Sequence, residues 1–379
     1  PEADAGADVT LCPGSSTSIG NIATGGKPPY IYSWSNGNTN ATQSVSPVIQ
    51  TTYTVSVTDA NGLSDSDDIT ISRFTVPGCG SSITDSRDGN SYSTKQIGCQ
   101  CWMAENLAYL PSVSPSGDGS ATSQYYYVYD YQGYNVTTAK GTGNFQTYGV
   151  LYNWAAAMAG GASSNNVPSG VQGVCPSGWH LPSDAEWEII SDYLGGESIA
   201  GGKMKEAGNS HWSVPNTGAD NSSGFTALPG GMRYSNGSFL DLWYSTGYWS
   251  TLEGISLRAY NRYIHYSDSS CGRGQDHMEN GFSVRCIADN DLSSDAGPDK
   301  DICESVSTSI GNGANGGMPP YSFLWSNGST DVRPSVSPSA ATTYTVTVTD
   351  AYSNTDSDEV SVTVIPAPIA DAGIDITIC

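Results

Sequence analysis

Two copies of one sequence module lie near the two ends of this chain. The segment STSIGN at residues 16–21 recurs at residues 307–312, an offset of 291 residues. The same offset holds without a gap for five further pairs: PPY at 28–30 and 319–321, WSNG at 34–37 and 325–328, SVSP at 44–47 and 335–338, TTYTV at 51–55 and 342–346, and DSD at 65–67 and 356–358. Chance does not produce so many matches in one register, so the two copies share a fold.

Alternating apolar and polar residues indicate that each copy is all-β. In TTYTVSVTD, Tyr53, Val55 and Val57 alternate with threonine and serine, the period-2 pattern of a half-buried strand. The Asn-Gly pair of WSNG is a strong signal for a tight turn. We therefore predict a small two-sheet sandwich of about 75 residues, with Trp34 and Trp325 in the two cores.

The repeats resemble the Ig-like or PKD-like repeats found in tandem in Bacteroidetes surface adhesins. The resemblance covers residues 3–77 and 294–365 and depends on PPYxYxWSNG, TTYTVxVTDA and the leading DAGxDxxxC. Many members carry a second cysteine after the TDANG turn, a region where this chain has Leu63 and Ser353. The resemblance therefore implies that the leading cysteines of the two repeats lack their usual partner.

A third copy begins at the end of the sequence, where ADAGIDITIC at 370–379 aligns with ADAGADVTLC at 3–12. It predicts the first strand of a further repeat, either in a longer tandem chain, in a chain cut within a repeat, or as a strand that completes a sheet in a neighbouring molecule. The sequence starts at Pro1 rather than Met, so we expect a processed product or a segment of a longer protein. Three cysteines are candidates for bonds between molecules: Cys12, Cys303 and Cys379.

The charge balance excludes several classes of partner. Acidic residues outnumber basic ones 37 to 14, and the formal net charge is −23. Nucleic acid and anionic membrane surfaces both require basic patches, so neither is predicted as a partner. The sequence has no apolar run of about 18 residues, so membrane insertion is not expected. Nine cysteines without zinc-ligand spacing favour disulfides in an oxidising compartment, and we predict a secreted or cell-surface protein.

Residues 78–290 differ from the repeats and predict an α+β domain. Apolar residues on one predicted helix recur at i, i+3, i+4 and i+7: Leu151, Trp154, Ala155 and Met158. Ser183 and Glu186 form a capping box at the start of a second helix. The Asp-Gly pair at 88–89 predicts a hairpin.

Six motifs of this domain resemble, in order, the Fibrobacter major paralogous domain of surface and secreted proteins. They are RDGNSYSTKQIGCQCWMAENL at 87–107, YGVLYNWAAAM at 148–158, CPSGWHLPSDAEWEII at 175–190, GFTALPGGMRYSNGSF at 224–239, YWST at 248–251 and GFSVRC at 281–286. WHLPSDAEWE and GFSVRC are also similar to formylglycine-generating enzymes, whose core has a C-type-lectin-like fold. The resemblance implies that fold for the middle domain and a core disulfide between Cys175 and Cys286. We further expect Cys79 to pair with Cys101, which leaves Cys99 and Cys271 as the next pair, although other connectivities remain open.

The chemistry-bearing residues do not form a recognisable catalytic pattern, so we predict no enzyme activity. Formylglycine-type oxidation would need two reduced cysteines, and Cys271 and Cys286 are the candidates. The four histidines show no metal-ligand pairing, and we expect His180 to be structural. No metal ligands are assigned and no cofactor is required. Calcium remains a candidate ion at DSRDGN (85–90) and at two acidic clusters: Asp65, Asp67 and Asp68, and Asp356, Asp358 and Glu359.

Exposed aromatic residues are the candidate ligand contacts. Stacking on sugar rings could use Trp102, Trp249 or Tyr244, but the stronger candidates are Trp212, Trp243 and a tyrosine-rich run: Tyr125, Tyr126, Tyr127, Tyr129, Tyr131 and Tyr134. Glycosylation sequons occur at five asparagines: Asn40, Asn135, Asn221, Asn236 and Asn327. We expect the last two to be exposed, because each lies in an Asn-Gly turn.

These observations predict a multidomain protein in which two all-β Ig-like sandwiches, 1–77 and 291–366, flank an α+β C-type-lectin-like domain at 78–290, with a further strand at 367–379. The leading hypothesis is a non-catalytic extracellular building block that assembles end to end with copies of itself into a fibre. The alternative is a carbohydrate-binding module of a secreted glycan-processing system, with surface glycans as partners. A formylglycine-generating oxidase is the third hypothesis.

Overall fold

The computed structural model describes residues 1–366, and contacts divide the chain into two compact units. Within the described residues, one unit contains Pro1–Leu11, Ser15–Phe74 and residues 291–366, and the other contains Cys12–Gly14 and Thr75–Asn290. The boundaries after Phe74 and Asn290 lie close to those predicted after residues 77 and 290. Residues 367–379, with the predicted further strand and Cys379, lie outside the described residues.

The first repeat contains six strands in two sheets. Four of them form a sheet in the order β1-β6-β5-β3, and β2 pairs with β4 in a smaller sheet. The strands are β1 (Val9–Leu11), β2 (Thr17–Ile19), β3 (Ile31–Trp34), β4 (Gln43–Val45), β5 (Thr51–Thr58) and β6 (Ser64–Arg73). Strand β1 is parallel to β6, and the remaining pairs in the larger sheet are antiparallel.

The middle domain is an irregular assembly of short strands and helices. Its strands are β7 (Ser82–Thr84), β8 (Ser91–Ile97), β9 (Gln100–Met103), β10 (Tyr126–Tyr127), β11 (Leu151–Tyr152), β12 (Trp179–His180), β13 (Gly230–Arg233), β14 (Phe239–Leu242), β15 (Ser245–Glu253), β16 (Arg258–His265), β17 (Cys271–His277) and β18 (Ile287–Ala288). Its helices are α1 (Val136–Lys140), α2 (Gly143–Tyr148), α3 (Trp154–Met158), α4 (Asp184–Tyr193) and α5 (Glu197–Met204).

The second repeat has the same sheet order as the first. A four-stranded sheet runs β20-β26-β25-β23, β21 pairs with β24, and β19 pairs with β22. The strands are β19 (Ser293–Asp295), β20 (Lys300–Cys303), β21 (Thr308–Ser309), β22 (Gly313–Asn315), β23 (Ser322–Trp325), β24 (Ser335–Val336), β25 (Thr342–Thr349) and β26 (Thr355–Ile365). The shared order is what the gapless sequence repeat predicts.

The acidic DSD segments of the repeats bind backbone amides. In the first repeat, Asp65 accepts a hydrogen bond from the Ala3 amide at 2.9 Å, and Asp67 accepts one from the Ala5 amide at 2.8 Å. In the second repeat, Asp356 and Asp358 accept from the Ser294 and Ala296 amides at 2.7 and 2.8 Å. These carboxylates hold the leading segment of each repeat against its last strand.

Two five-stranded sheets organise the middle domain. Their orders are β12-β18-β9-β8-β7 and β14-β13-β15-β16-β17, and β10 pairs with β11. Trp102, Trp187, Phe225 and Tyr248 form an aromatic cluster between the sheets and helix α4, with ring centroids 4.6–5.9 Å apart. The capping box of α4 is present as predicted, because Ser183 and Glu186 exchange hydrogen bonds.

The helix predicted from the 151–158 periodicity is only partly present. Leu151 belongs to strand β11, and helix α3 begins at Trp154. The Asn153 side chain caps α3 by accepting a hydrogen bond from the Ala156 amide at 3.0 Å. An N-cap residue has extended backbone geometry, so a helix cannot extend through Asn153 to Leu151.

Disulfides join Cys175 to Cys286 and Cys79 to Cys101. These are the two pairings expected from the sequence. The expected pairing of Cys99 with Cys271 is wrong, because Cys99 is bonded to Cys12 and Cys271 is a buried free thiol. The same bond contradicts the expectation that Cys12 is available to another molecule. Sequence analysis missed it because it treated the leading cysteine as part of the repeat alone, whereas residues 12–14 belong to the unit that contains Cys99.

Truncation of a core tryptophan in one repeat tests this architecture. Trp325 is 2% exposed at the centre of the second repeat's core, and its neighbour Leu324 is 58% exposed on the same strand. We expect Trp325→Ala to destabilise the second repeat by about 3–5 kcal/mol, the usual loss for a buried tryptophan. Leu324→Ala should change the free energy of unfolding by no more than about 0.5 kcal/mol. Urea unfolding followed by circular dichroism measures both, and equal effects of the two substitutions would contradict the predicted core.

Candidate functional site

A buried arginine connects three of the sequence motifs of the middle domain. Arg285 is 1% exposed, and its Nε donates to the Asn106 side chain at 2.8 Å. Its two terminal nitrogens donate to the backbone carbonyls of Met103, Phe225 and Thr226 at 2.6–3.0 Å. The guanidinium lies 4.4 Å from the Phe225 ring centroid. Burial lowers the pKa of Arg285, but the charge is held by carbonyl and amide oxygens.

One of the segments held by Arg285 has strained backbone. Thr226 has a φ of 54°, which is unusual for a β-branched residue. The Asn221 side chain accepts a hydrogen bond from the Thr226 amide and donates one to the Thr226 hydroxyl, each at 3.0 Å. Such strain persists where surrounding contacts enforce it, and it concentrates at functional sites.

A groove lies on the surface above this buried network. It has a volume of about 540 Å³. We call it the motif groove, and it is lined by Asn90, Ser91, Tyr92, Ser93, Ala104, Glu105, Asn106, Ala108, Phe145, Gln146, Thr147, Tyr148, Gly149, Thr226 and Leu228. These residues come from the loop after β7, strand β8, the loop after β9, helix α2 and the segment before β13. The volume falls in the range of small-molecule sites, about 300–1,000 Å³.

Polar groups at the rim of the motif groove are held in place or open to solvent. Glu105 is exposed, and its carboxylate accepts hydrogen bonds from the Ser93 amide at 2.7 Å and the Ser93 hydroxyl at 2.9 Å. Gln146 is exposed on helix α2. The Asn90 amide nitrogen donates to Asp88 at 2.8 Å, which fixes the orientation of its side chain. The groove therefore presents carboxylate and amide groups to a bound molecule.

An exposed tryptophan adjoins the aromatic wall of the motif groove. Burial raises the pKa of Tyr148, and a hydrogen bond from the Trp243 side chain opposes that shift. Trp243 is 54% exposed and has a φ of 69°. Its amide donates to the Pro229 carbonyl at 3.0 Å, and its carbonyl accepts from the Ser213 amide at 2.8 Å. The Trp243 backbone is thus held by two hydrogen bonds, and its indole lies on the surface next to Tyr148.

A sequence model described as the Fibrobacter succinogenes major domain matches residues 96–288, half of the chain. The chain belongs to this family. The Arg285 network lies almost entirely within the matched Fibrobacter major domain, as do the walls of the motif groove formed by helix α2 and by the segment before β13. No curated protein matches the chain.

The chain also has a weak similarity to a solved structure. It is the Bacteroides ovatus mixed-linkage glucan utilization locus protein SGBP-B in complex with a mixed-linkage heptasaccharide, with 10% sequence identity and a TM-score of 0.14. The alignment covers 94% of this chain and 65% of that one, so the chain spans about two thirds of that protein's length. A TM-score this low supports no argument about fold or ligand.

The structure divides the predicted ligand contacts of the Fibrobacter major domain into buried and exposed residues. Trp212 was predicted as a ligand contact. That prediction is wrong, because Trp212 is 2% exposed and its indole donates to the Ala227 carbonyl. Tyr126 and Tyr127 are also buried, because β10 pairs with β11 inside the domain. Trp102 and Trp249 are fully buried core residues. The contacts that remain accessible are Trp243, Tyr244, Tyr125, Tyr129, Tyr131 and Tyr134.

The candidate calcium ligands are engaged by other groups. Asp85 is buried and pairs with the Arg87 guanidinium at 2.6 Å, and Asp88 lies 3.6 Å from Lys140. In the acidic clusters of the two repeats, Asp65, Asp67, Asp356 and Asp358 accept hydrogen bonds from backbone amides. Within residues 1–366, no group of three or more His, Cys, Asp or Glu side chains could hold a metal ion. Calcium binding stays a prediction.

The predicted sequons differ in accessibility. Asn40, Asn236 and Asn327 are exposed, the last two in the expected turns. Asn135 is exposed, but its side chain accepts from the Thr138 amide as the N-cap of α1. Asn221 is half-buried and holds Thr226, so its amide is committed to the fold.

His180 is structural, as the sequence predicts, and it is charged. It is 4% exposed, with Nε2 at 2.8 Å from Glu186 and Nδ1 at 2.8 Å from Asp289. Burial alone would lower the pKa of His180, but the two carboxylates outweigh it and raise the pKa to about 9. The imidazolium links the start of α4 to the residue that follows β18.

Sequence analysis missed most of the motif groove. Glu105 and Tyr148 lie within recognised motifs, but a motif does not reveal which of its residues face outward. Phe145 and Gln146 precede the second motif and gave no signal. No element was predicted after residue 135, whereas Thr142 caps helix α2 by accepting a hydrogen bond from the Phe145 amide.

Loss of the His180 charge should make stability depend on pH. The folded pKa of about 9 lies above the ordinary 6.5. The ion pairs therefore stabilise the fold fully below about pH 6.5, and this contribution is lost as the pH rises through about 9. We expect the difference in unfolding free energy between the wild type and His180→Gln to shrink between pH 6 and pH 10. Burial lowers the pKa of Lys205 to about 8, but this group titrates equally in both proteins and cancels. Urea titrations at unit pH intervals test this, and a constant difference would refute it.

Replacement of Arg285 by lysine tests the network beneath the groove. Lysine keeps the charge but lacks the planar fork of donors, so at least two buried acceptors lose their partners. At about 1–3 kcal/mol for each unsatisfied group, we expect Arg285→Lys to destabilise the domain by at least about 2 kcal/mol. Arg258→Lys, at an exposed position, is the matched control. Denaturant midpoints that are the same for both variants would show that the network contributes little.

Proposed function

We propose that the chain is a non-catalytic extracellular binding protein whose Fibrobacter major domain binds a neutral glycan in the motif groove, against Trp243. The observation that carries this proposal is the exposed indole held beside the groove. A left-handed backbone conformation costs energy at a bulky residue such as Trp243, and residues strained in this way cluster at ligand sites. Sugar rings present flat C–H faces, which stack on indole rings.

The remaining groups of the motif groove suit the edges of a sugar. Hydroxyl groups both donate and accept hydrogen bonds, and Glu105, Gln146 and Asn90 supply acceptors and donors at the rim. Such a combination of aromatic surface and a few placed polar groups is typical of ligand sites. With a net charge of −23, the chain disfavours acidic polysaccharides, so we propose a neutral glycan.

The cysteines support a non-catalytic role. An oxidase of the formylglycine-generating type would need thiols at both Cys271 and Cys286, and Cys286 is bonded to Cys175. Cys271 is fully buried, and burial raises its pKa to about 11, so this thiol is not a ready nucleophile.

The disulfides also support an extracellular location. Three disulfides are typical of proteins that fold in an oxidising compartment. No helix in the described part of the chain is long and apolar enough to cross a bilayer. We propose that the two repeats are Ig-like spacers, that the middle domain is C-type-lectin-like, and that copies assemble end to end.

Substitution of Trp243 tests glycan binding. We expect Trp243→Ala to weaken binding at least about tenfold, equivalent to about 1.4 kcal/mol. Trp243→Phe retains an aromatic face and should retain most of the affinity. Affinity electrophoresis in gels containing soluble mixed-linkage β-glucan, xyloglucan, arabinoxylan or galactomannan provides the measurement.

Leu240→Ala is the matched control, because Leu240 is 49% exposed on the neighbouring strand β14. This control should migrate as the wild type does in every gel. If the wild type is not retarded by any polysaccharide and is silent on a glycan array, the proposal is wrong. Retardation that is unchanged in Trp243→Ala would place the site elsewhere on the protein.

A further inference from the structure

The two repeats differ in the state of one equivalent cysteine. Cys12 and Cys303 occupy the same position of the repeat, at the offset of 291 residues. Cys12 is bonded to Cys99, whereas Cys303 is an exposed free thiol. The cysteine of the first repeat therefore forms a disulfide bond with the middle domain, whereas the equivalent cysteine of the second repeat is available to form one.

The strands that lead into the two cysteines have the same register. Strand β1 is parallel to β6 with Leu11 opposite Arg73, and the Phe74 amide donates to the Leu11 carbonyl at 2.8 Å. Strand β20 is parallel to β26 with Ile302 opposite Val364, the equivalents of Leu11 and Arg73. This ladder continues by one pair, Cys303 opposite Ile365, and the Glu304 amide donates to the Ile365 carbonyl at 3.1 Å, a bond that Pro13 cannot make in the first repeat. In both repeats the cysteine lies where the first and last strands of the large sheet end together.

The apolar residues at this end also differ between the copies. Phe74 is 5% exposed, and its equivalent, Ile365, is 50% exposed. Val306, three residues after Cys303, is 49% exposed. The exposed thiol and the two exposed aliphatic side chains lie at the same end of the second repeat, and apolar residues grouped on a surface are typical of contact sites.

We propose that the end face of the second repeat, formed by Cys303, Val306 and Ile365, binds a domain of the Fibrobacter major type that presents a free cysteine at the position of Cys99. Cys99 lies in the turn between β8 and β9, within the GCQC segment. The repeats are copies of one module, so a domain that accepts the cysteine of the first repeat is suited to that of the second. This inference goes beyond glycan binding and does not depend on it.

The covalent step is a disulfide exchange with an oxidant of the compartment, such as oxidised glutathione. Each of the two thiols loses a proton and together they lose two electrons, one sulfur–sulfur bond forms between Cys303 and the partner cysteine, and the disulfide of glutathione is reduced to two thiols. Cys271 does not compete, because it is buried and its pKa is raised to about 11. Cys303 is exposed, as the attacking thiol must be.

The test uses the full chain with two substitutions. Cys12→Ser leaves Cys99 without its bonded partner, and Cys379→Ser removes the thiol outside the described residues. In a glutathione redox buffer, we expect this variant to form covalent oligomers in which Cys303 of one molecule is joined to Cys99 of the next. Non-reducing electrophoresis detects the oligomers, and mass spectrometry of peptides identifies the bond. The matched control adds Cys303→Ser and should lose at least nine-tenths of the oligomers.

The apolar part of the end face has its own test. Ile365→Asp in the same background should slow formation of the Cys303–Cys99 bond at least about tenfold, while Cys303 remains reactive toward a small thiol reagent. A bond that forms at the same rate with aspartate at this position would show that the apolar residues take no part.

Other outcomes would overturn the proposal. Monomers alone, or Cys303–Cys303 bonds as frequent as Cys303–Cys99 bonds, would show that the end face does not select this partner. If Cys12→Ser loses the native circular dichroism spectrum, the same bond is sought in the Cys379→Ser chain, where the glutathione buffer opens a fraction of the Cys12–Cys99 bonds. If the Cys303–Cys99 bond is absent from the Cys379→Ser chain while Cys303 still reacts with a small thiol reagent, the proposal is equally contradicted. Glycan retardation of the Cys303→Ser variant should equal that of the wild type, which separates this result from failure of the proposed glycan site.

Discussion

The hydrogen bonds of one buried guanidinium determine how the middle domain is assembled. Arg285 connects the segment after β9, the segment before β13 and the last motif of the domain, which are far apart in sequence. Its charge has no carboxylate within ion-pair distance among the described residues, so carbonyl and amide oxygens must converge on it. That requirement holds Thr226 in a strained conformation and positions the floor of the motif groove. Arg285 therefore links the buried hydrogen bonds of the domain to the shape of the motif groove on its surface.

In the repeats, hydrogen bonds to aspartate side chains hold the leading segment, in addition to a small apolar core. Each repeat has a small apolar cluster around one tryptophan, and its leading segment has little apolar surface. Asp65 and Asp67, with their equivalents in the second repeat, hold that segment through its backbone amides. This explains why an acidic protein places pairs of aspartates at the start of a strand. They satisfy donors that strand pairing leaves unpaired.

Some features of the candidate site could be predicted and others could not. Exposed Trp243 was among the predicted contacts, but so was Trp212, and sequence alone does not separate them. Trp212 is buried because its indole donates to Ala227 and its ring packs in the core cluster, both of which depend on chain segments distant in sequence. Tyr126 and Tyr127 were predicted as ligand contacts together with the other tyrosines of residues 125–134. Their pairing with β11 is a tertiary contact that no local pattern encodes.

The sequence by itself determined the repeat, its strand pattern, the capping box of α4 and the family of the middle domain. These features are local or periodic, because a strand, a cap or a motif is defined by residues close together in the chain. Only the tertiary structure decided the partner of Cys12, the boundary of helix α3 and the identity of the residues that line the motif groove. Each of these depends on which distant segments come together, and the bond from Cys12 to Cys99 crosses 87 residues. The two repeats are alike in sequence, yet one cysteine is bonded and its equivalent is free, because the difference lies in what surrounds each copy.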